Sequence, residues 1–231
     1  QGIGDRGALI RFRDITEVEH LILLKKLAGN SENFSEIFTE KRFDSVGPII
    51  GQELKVSSLH ALLLVLILIV TYIAWAFRKV SLPVASWKYG VVALVALLHD
   101  VIIPSGIFAI LGKWYGVEVD ILFITGLLTI LGFSVHDTIV VFDRIREKLK
   151  TLKIREEFED TVWRSIQETF TRSINTSLTV VIALTPVLLF GGESTQNLSF
   201  LLIIGVLIGT YSSIFIASPL VVSWQKWSRS S

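Results

Sequence analysis

VSSLHALLLVLILIVTYIAWAF, residues 56–77, contains no Asp, Glu, Lys or Arg and is built mostly from large apolar side chains. At ~1.5 Å per residue, an α-helix over this stretch reaches across the ~30 Å hydrocarbon core of a bilayer. Four further stretches repeat the pattern, at about 89–111, 121–142, 172–190 and 198–224. Each is near or above the ~20 residues a spanning helix needs, and a soluble core does not present five in succession. The composition agrees. Hydrophobic residues make up 51% of the 231, and charged residues only 19%, against about 25% in soluble domains. The charges gather between the apolar runs. The expected fold is an α-helical polytopic membrane protein with a bundle over 56–224 and a tail over 225–231.

The loops set an orientation. Arg78, Lys79 and Lys88 lie between spans one and two, and Arg144, Arg146, Lys148, Lys150, Lys153, Arg155 and Arg164 between spans three and four. Lys226 and Arg229 follow span five. The alternate loops hold only Lys113, Glu118, Asp120 and Glu193. The positive-inside rule makes the first set cytoplasmic, which puts residues 1–55 outside and the C-terminus inside. Residues 1–55 read as part of a small α+β domain. Strands are expected over 8–13 and 35–43, and a helix over 17–28 stopped by Gly29-Asn30. Within 143–171, Ile154, Phe158, Val162 and Ile166 recur every four residues with charges between them. Two readings fit that stripe: an amphipathic helix on the inner membrane surface, or a connecting helix packed on the bundle.

A charge within a span costs at least ~2.5–3.5 kcal/mol on insertion scales, so each one calls for a reason. His99-Asp100 sits at the centre of span two, His136-Asp137 in the inner half of span three, and Arg172 at the inner end of span four. Asp137 comes six residues before Asp143, about 9 Å inside the boundary at ~1.5 Å per residue. Arg172 enters from the same side, so an Asp137–Arg172 pair between neighbouring spans is within reach. Protonating Asp137 would break that pair and leave an unpaired charge, a two-state element that a proton or Na⁺ can bias. A static hydrogen-bonded role for Asp137, snorkelling of Arg172 to the interface, and structural roles for Asp100, His99 and His136 are the alternatives.

Small residues suggest close packing: Gly205 and Gly209 in a GxxxG, with Ser212 and Ser213 nearby, and Gly126 and Gly132 in span three. No Walker loop or surface Ser/His/Asp constellation is present, so no enzymatic activity and no cofactor are expected. With no cysteine, disulfides and thiolate metal sites are excluded, and a net charge of +1 argues against a nucleic-acid surface.

GFSVHDTIVVFDRIRE, residues 132–147, resembles the fourth-helix signature of the SecF branch of the SecD/SecF protein-export family. FDSVGP at 43–48 with GQEL at 51–54, LLHD at 97–100, TRSINTSLT at 171–179 and IGTYSSIFIA at 208–217 resemble further family motifs, in order. The resemblance implies an RND-type transmembrane bundle with a ferredoxin-like periplasmic domain, only part of which is present. A further helix and the other half of that domain would lie upstream of Gln1, in keeping with a chain that has no Met. It implies an accessory subunit of the Sec preprotein translocase in the bacterial inner membrane. That subunit works with SecD and the SecYEG channel on a translocating preprotein, and is driven by protons or, in some relatives, Na⁺. It assigns ion coupling to Asp137 and Arg172, with His136, Asp100 and His99 as supporting candidates. His136 stands where many relatives carry Asn. An RND-type exporter half for small molecules or lipids, and a purely structural assembly subunit, are the competing classes.

Overall fold

The computed structural model describes residues 2–3, 7–8, 17–27, 29, 48–76, 84–117, 119–151 and 157–230. They divide into two compact units, 1–59 and 60–231.

In the first unit, β1 (Gly2–Ile3) and β2 (Gly7–Ala8) form a short antiparallel ladder with Gly2 opposite Ala8 and Ile3 opposite Gly7. Helix α1 (Glu17–Leu27) follows. Gly29 terminates it in the left-handed region at φ 66° and donates its N–H to the Lys26 carbonyl at 3.1 Å, the stop that Gly29 predicts. No α+β layer is present among the described residues. The strand expected over 35–43 lies outside them, as does most of the one over 8–13. Helix α2 (Pro48–Ala76) begins seven residues before the boundary expected at 55.

The second unit is a helical bundle. It contains most of α2, then α3 (Ser86–Tyr115), α4 (Ile121–Thr151), α5 (Phe158–Phe190) and α6 (Glu193–Ser212). A π-turn over Ser213–Ala217 leads into α7 (Ser218–Ser230). Among the described residues, five stretches are long and apolar enough to cross a membrane: Val56–Ala76, Ser86–Tyr115, Ile121–Lys150, Phe158–Phe190 and Glu193–Ser228. Leu63, Leu64, Ile67 and Leu68 of α2, and Ile182, Leu189 and Phe190 of α5, are exposed. Such a surface is a liability in water and the ordinary outer face of a bundle in lipid. The chain is a polytopic helical membrane protein.

Local chemistry fixes several helix ends. Asp120 caps α4 by accepting the Phe123 N–H at 3.0 Å, and Gly116, at φ 68°, closes α3 with its N–H on the Gly112 carbonyl. Replacing Asp120 with Ala is expected to cost about 1 kcal/mol, with recovery in Asp120→Asn. Thermal unfolding in detergent measures it.

The expected cytoplasmic loop 143–171 is mostly helix. α4 runs on to Thr151 and α5 starts at Phe158, so each continues past the end of its apolar run. Of the two readings for the amphipathic stripe, packing on the bundle is the one observed. Phe158, Val162 and Ile166 are buried in one core with Phe142, Ile145 and Val221; Ile154 lies outside the described residues. Tyr89 meets Phe142 edge-on at 5.2 Å in the same core. A second core at the far end of the bundle joins Phe108, Phe123, Leu127, Ile130 and Leu201.

The α4–α6 seam positions everything that follows. These helices run parallel and touch through small residues. A Cβ added at Gly126 would meet Leu201 and Leu198, one at Gly205 would collide with Ile130, and one at Gly209 would lie 3.0 Å from the Ser134 Cβ. The Gly205/Gly209 pair therefore acts as a packing motif, as the sequence suggested. Gly132 does not: its Cβ position faces open space.

Candidate functional site

Among the described residues of the bundle two carboxylates are buried, and five hydroxyl or imidazole groups from neighbouring positions surround them. Asp137 of α4 is 7% exposed and Asp100 of α3 is 0% exposed. Asp137 Oδ1 accepts the Ser173 hydroxyl of α5 at 2.5 Å, and its Oδ2 accepts the Ser213 hydroxyl from the first residue of the π-turn. Asp100 Oδ2 accepts two hydroxyls, from Ser134 of α4 and from Ser212 at the end of α6, the latter at 2.7 Å. Its Oδ1 lies 2.9 Å from His99 Nδ1. The surrounding hydroxyls are themselves buried, and Ser177 of α5 and Thr210 of α6 hydrogen-bond to each other one turn further on.

The sequence explains the arrangement. Ser134 and Asp137 are three apart on α4, so they share a face. Gly209 lets α6 approach that face closely, which brings Ser212 and Ser213 to it. Pro219 lies two residues past the end of the π-turn. It has no N–H to offer the carbonyl four residues back, and its ring would crowd that carbonyl in a regular helix. The widened turn accommodates this, and the Ser218 hydroxyl takes up the Ser213 carbonyl at 2.9 Å. π-turns inserted in helices often mark functional sites.

A buried carboxylate needs either a counter-charge or several good donors. Among the described residues, Asp137 makes no ion pair and relies on hydroxyls. The Asp137–Arg172 pair expected from sequence is not formed. Consecutive residues of a helix point about 100° apart, and Ser173, not Arg172, faces α4. Arg172 is exposed and lines an open cavity of about 400 Å³ with Val140, Thr169 and the charged side chains of Asp143, Arg144, Glu147 and Glu168. There Arg144 bridges Glu147 and Glu168, and Lys148 joins Glu168 at 2.7 Å. Val140 lies one turn from Asp137 and Thr169 one turn from Ser173, so the cavity opens next to the Asp137 end of the cluster.

His136 is exposed, about 100° around α4 from the buried Asp137, and has no hydrogen bond to it. It lies on a polar stripe with Thr125, Thr129 and Gly132, all exposed, and Arg172, Asn175, Thr176 and Thr179 of α5 are exposed as well. His99 and Asp100, by contrast, are brought together as a pair. The functional sequence reading missed the four serines. Ser212 and Ser213 read as packing residues, and Ser134 and Ser173 carried no separate signal. The available clue was that all four fall in the family motifs, Ser134 beside Asp137 in 132–147, Ser173 in 171–179, and Ser212 and Ser213 in 208–217.

Residues 26–227 match the family model described as protein export membrane protein SecD/SecF, C-terminal. The protein translocase subunit SecF of Thermobaculum terrenum is 48% identical over 227 residues, covering 97% of this chain and 69% of that protein. The protein translocase subunit SecF of Synechocystis sp. is 44% identical over 188 residues, covering 80% of this chain and 56% of that protein. The chain thus spans between 56% and 69% of the length of those relatives. A crystal structure of SecDF in a super-membrane-facing form superposes with a TM-score of 0.70 at 31% identity, covering 94% of this chain and 27% of that one.

Proposed function

We propose, because the chain belongs to the SecD/SecF protein-export family, that it couples a transmembrane ion gradient to protein export by reversible protonation of Asp137. The relatives are named as translocase subunits, so protein transport in a membrane is the setting. The observation that carries the coupling reading is the Asp137 cluster. One buried carboxylate joins α4 to α5 through Ser173 and to the π-turn through Ser213. As an anion it accepts both hydroxyls. Once protonated it becomes a donor itself, and both serines lose a charge-assisted bond, worth about 1.5–3 kcal/mol each. Binding or release of one proton thus changes the docking of three elements. Na⁺ is the alternative ion, since hydroxyl and carboxylate oxygens are ligands for hard cations. No organic cofactor enters this scheme, and the subunit is not an enzyme.

The polar stripe supports a membrane partner. His136 and Arg172 expose hydrogen-bonding groups on spanning helices, and lipid cannot satisfy them, whereas the Thr125 and Thr129 hydroxyls beside them are returned to the Ile121 and Thr125 carbonyls of their own helix. A SecD-type bundle covers this face, and from there Arg172 acts on the coupling carboxylate, either in this chain or the partner. The basic loop ends face the cytoplasm and residues 1–55 the periplasm, with the whole seated in the bacterial inner membrane beside the SecYEG channel and acting on the emerging preprotein.

The test is export of a reporter in cells depleted of their own SecF and complemented with wild-type or Asp137→Asn protein. Equal export at equal membrane levels would end the coupling reading. Arg172→Ala is expected to lower export strongly while leaving the thermal midpoint close to wild type, because Arg172 is exposed and makes no ion pair to Asp137. A large loss of stability instead would make Arg172 structural.

A further inference from the structure

We propose that Ser212 and Ser213 form a yoke that links Asp100 to Asp137, making Asp100 a positioning residue for the coupling carboxylate. The proposal rests on the coupling role given to Asp137 above and extends it to a second helix, α3.

The two serines are consecutive, yet each donates to a different carboxylate. Ser212 bonds Asp100 on α3, and Ser213 bonds Asp137 on α4. The seam shows why this happens here. Gly126 meets Leu201, Ile130 meets Gly205 and Ser134 meets Gly209, so the contacts advance by four residues on both helices. At the next step Asp137 meets Ser213, three residues on along α4 but four along α6. The change of register falls at the start of the π-turn. Ser212 and Ser213 themselves keep ordinary helical angles, φ −66°, ψ −38° and φ −62°, ψ −38°, so their side chains point about 100° apart, Ser213 toward Asp137 and Ser212 toward Asp100.

Each serine also has a second acceptor in reach. Ser212 Oγ lies 3.0 Å from the Gly209 carbonyl, and Ser213 Oγ 3.0 Å from the Thr210 carbonyl. A hydroxyl has one proton to donate, so each must choose between the carboxylate and its own helix. When Asp137 is protonated, Ser213 turns back to Thr210, the π-turn relaxes, and Ser212 is drawn off Asp100. The chain of events runs equally in reverse, as linkage requires. The groups facing Asp100 are His99 on its own helix, Ser134 on α4 and Ser212 on α6. Those facing Asp137 are Ser173 on α5 and Ser213 on the π-turn, while His136 and Arg172 are turned outward. No Lys or Arg touches either carboxylate among the described residues, and the His99 imidazole meets Asp100 alone, so the hydroxyls are the remaining route of communication.

The experiment uses the full protein in native membrane vesicles with a hydrophobic carbodiimide, which modifies protonated carboxyls, and reads modification at each Asp by mass spectrometry. Ser212→Ala is expected to speed labelling of Asp137 by about tenfold, although Ser212 does not touch Asp137. Ser134→Ala removes the other hydroxyl from Asp100 without passing through the π-turn, and is expected to speed labelling at Asp100 alone. Ser213→Ala is the reciprocal variant and is expected to speed labelling at Asp100. It also stands in if Ser212→Ala fails to fold. Unchanged labelling of Asp137 in Ser212→Ala, or of Asp100 in Ser213→Ala, overturns the yoke. So does the same response at Asp137 to Ser134→Ala and Ser212→Ala. The two readings fail separately. Lost export in Asp137→Asn with no cross-labelling sinks the yoke alone, and full export in Asp137→Asn with cross-labelling keeps the yoke and removes the coupling role.

Discussion

Replacing Asp137 with asparagine is expected to reduce export in complemented cells to the level of the empty vector while the protein accumulates normally in the membrane. The side chains are nearly isosteric, so the bundle has no cavity to tolerate. The amide oxygen still accepts one serine hydroxyl, and the other serine can rotate to accept from the amide NH₂. The expected cost to stability is therefore about 1–2 kcal/mol, that of exchanging charge-assisted bonds for neutral ones. What disappears is the charged state itself. A residue that cannot ionise holds Ser173 and Ser213 in one arrangement whatever the gradient does. Asp137→Glu keeps the charge but displaces it by one methylene, and is expected to retain partial export. Thermal unfolding in detergent, run beside the export assay, separates the two effects. A large stability loss in Asp137→Asn with proportional loss of membrane protein would make Asp137 a structural residue.

The second large effect is expected at Gly205. A methyl group there collides with the Ile130 side chain, which is itself fully buried. Gly205→Ala is expected to destabilise the bundle by about 1–3 kcal/mol, and Gly205→Leu to prevent its assembly. The damage extends beyond stability. Pushing α6 away from α4 also lifts Ser212 and Ser213 off their carboxylates, so export falls even where folded protein remains. Shrinking the opposing residue, as in Ile130→Ala combined with Gly205→Ala, is expected to recover much of both losses, because the two positions share one contact. Gly132→Ala serves as the contrast. It faces open space, and its expected effect is neutral or slightly stabilising through helix propensity. Equal sensitivity at positions 132 and 205 would contradict the α4–α6 seam.

The sequence alone determined the spanning helices, their number and their order. Length and apolarity suffice for that, because a segment in lipid must satisfy every backbone group within itself, and only a helix does so locally. It also flagged Asp100 and Asp137, because a charge among apolar residues stands out by its cost. The stop at Gly29 and the packing role of Gly205 and Gly209 were legible for similarly local reasons. The partners of the two carboxylates were not. A serine in a spanning helix can return its proton to its own helix, as Ser177 does to the Ser173 carbonyl at 2.8 Å, and nothing local says which serine reaches across instead. That choice depends on the rotation of each helix about its axis, and only the packing of side chains from distant segments sets it. A difference of one residue places Ser173 on Asp137 and Arg172 on the exposed face. A step of about 100° between consecutive helical residues divides Ser212 and Ser213 between two carboxylates. The tertiary structure decided these phases, because they are relations between helices and no single helix contains them.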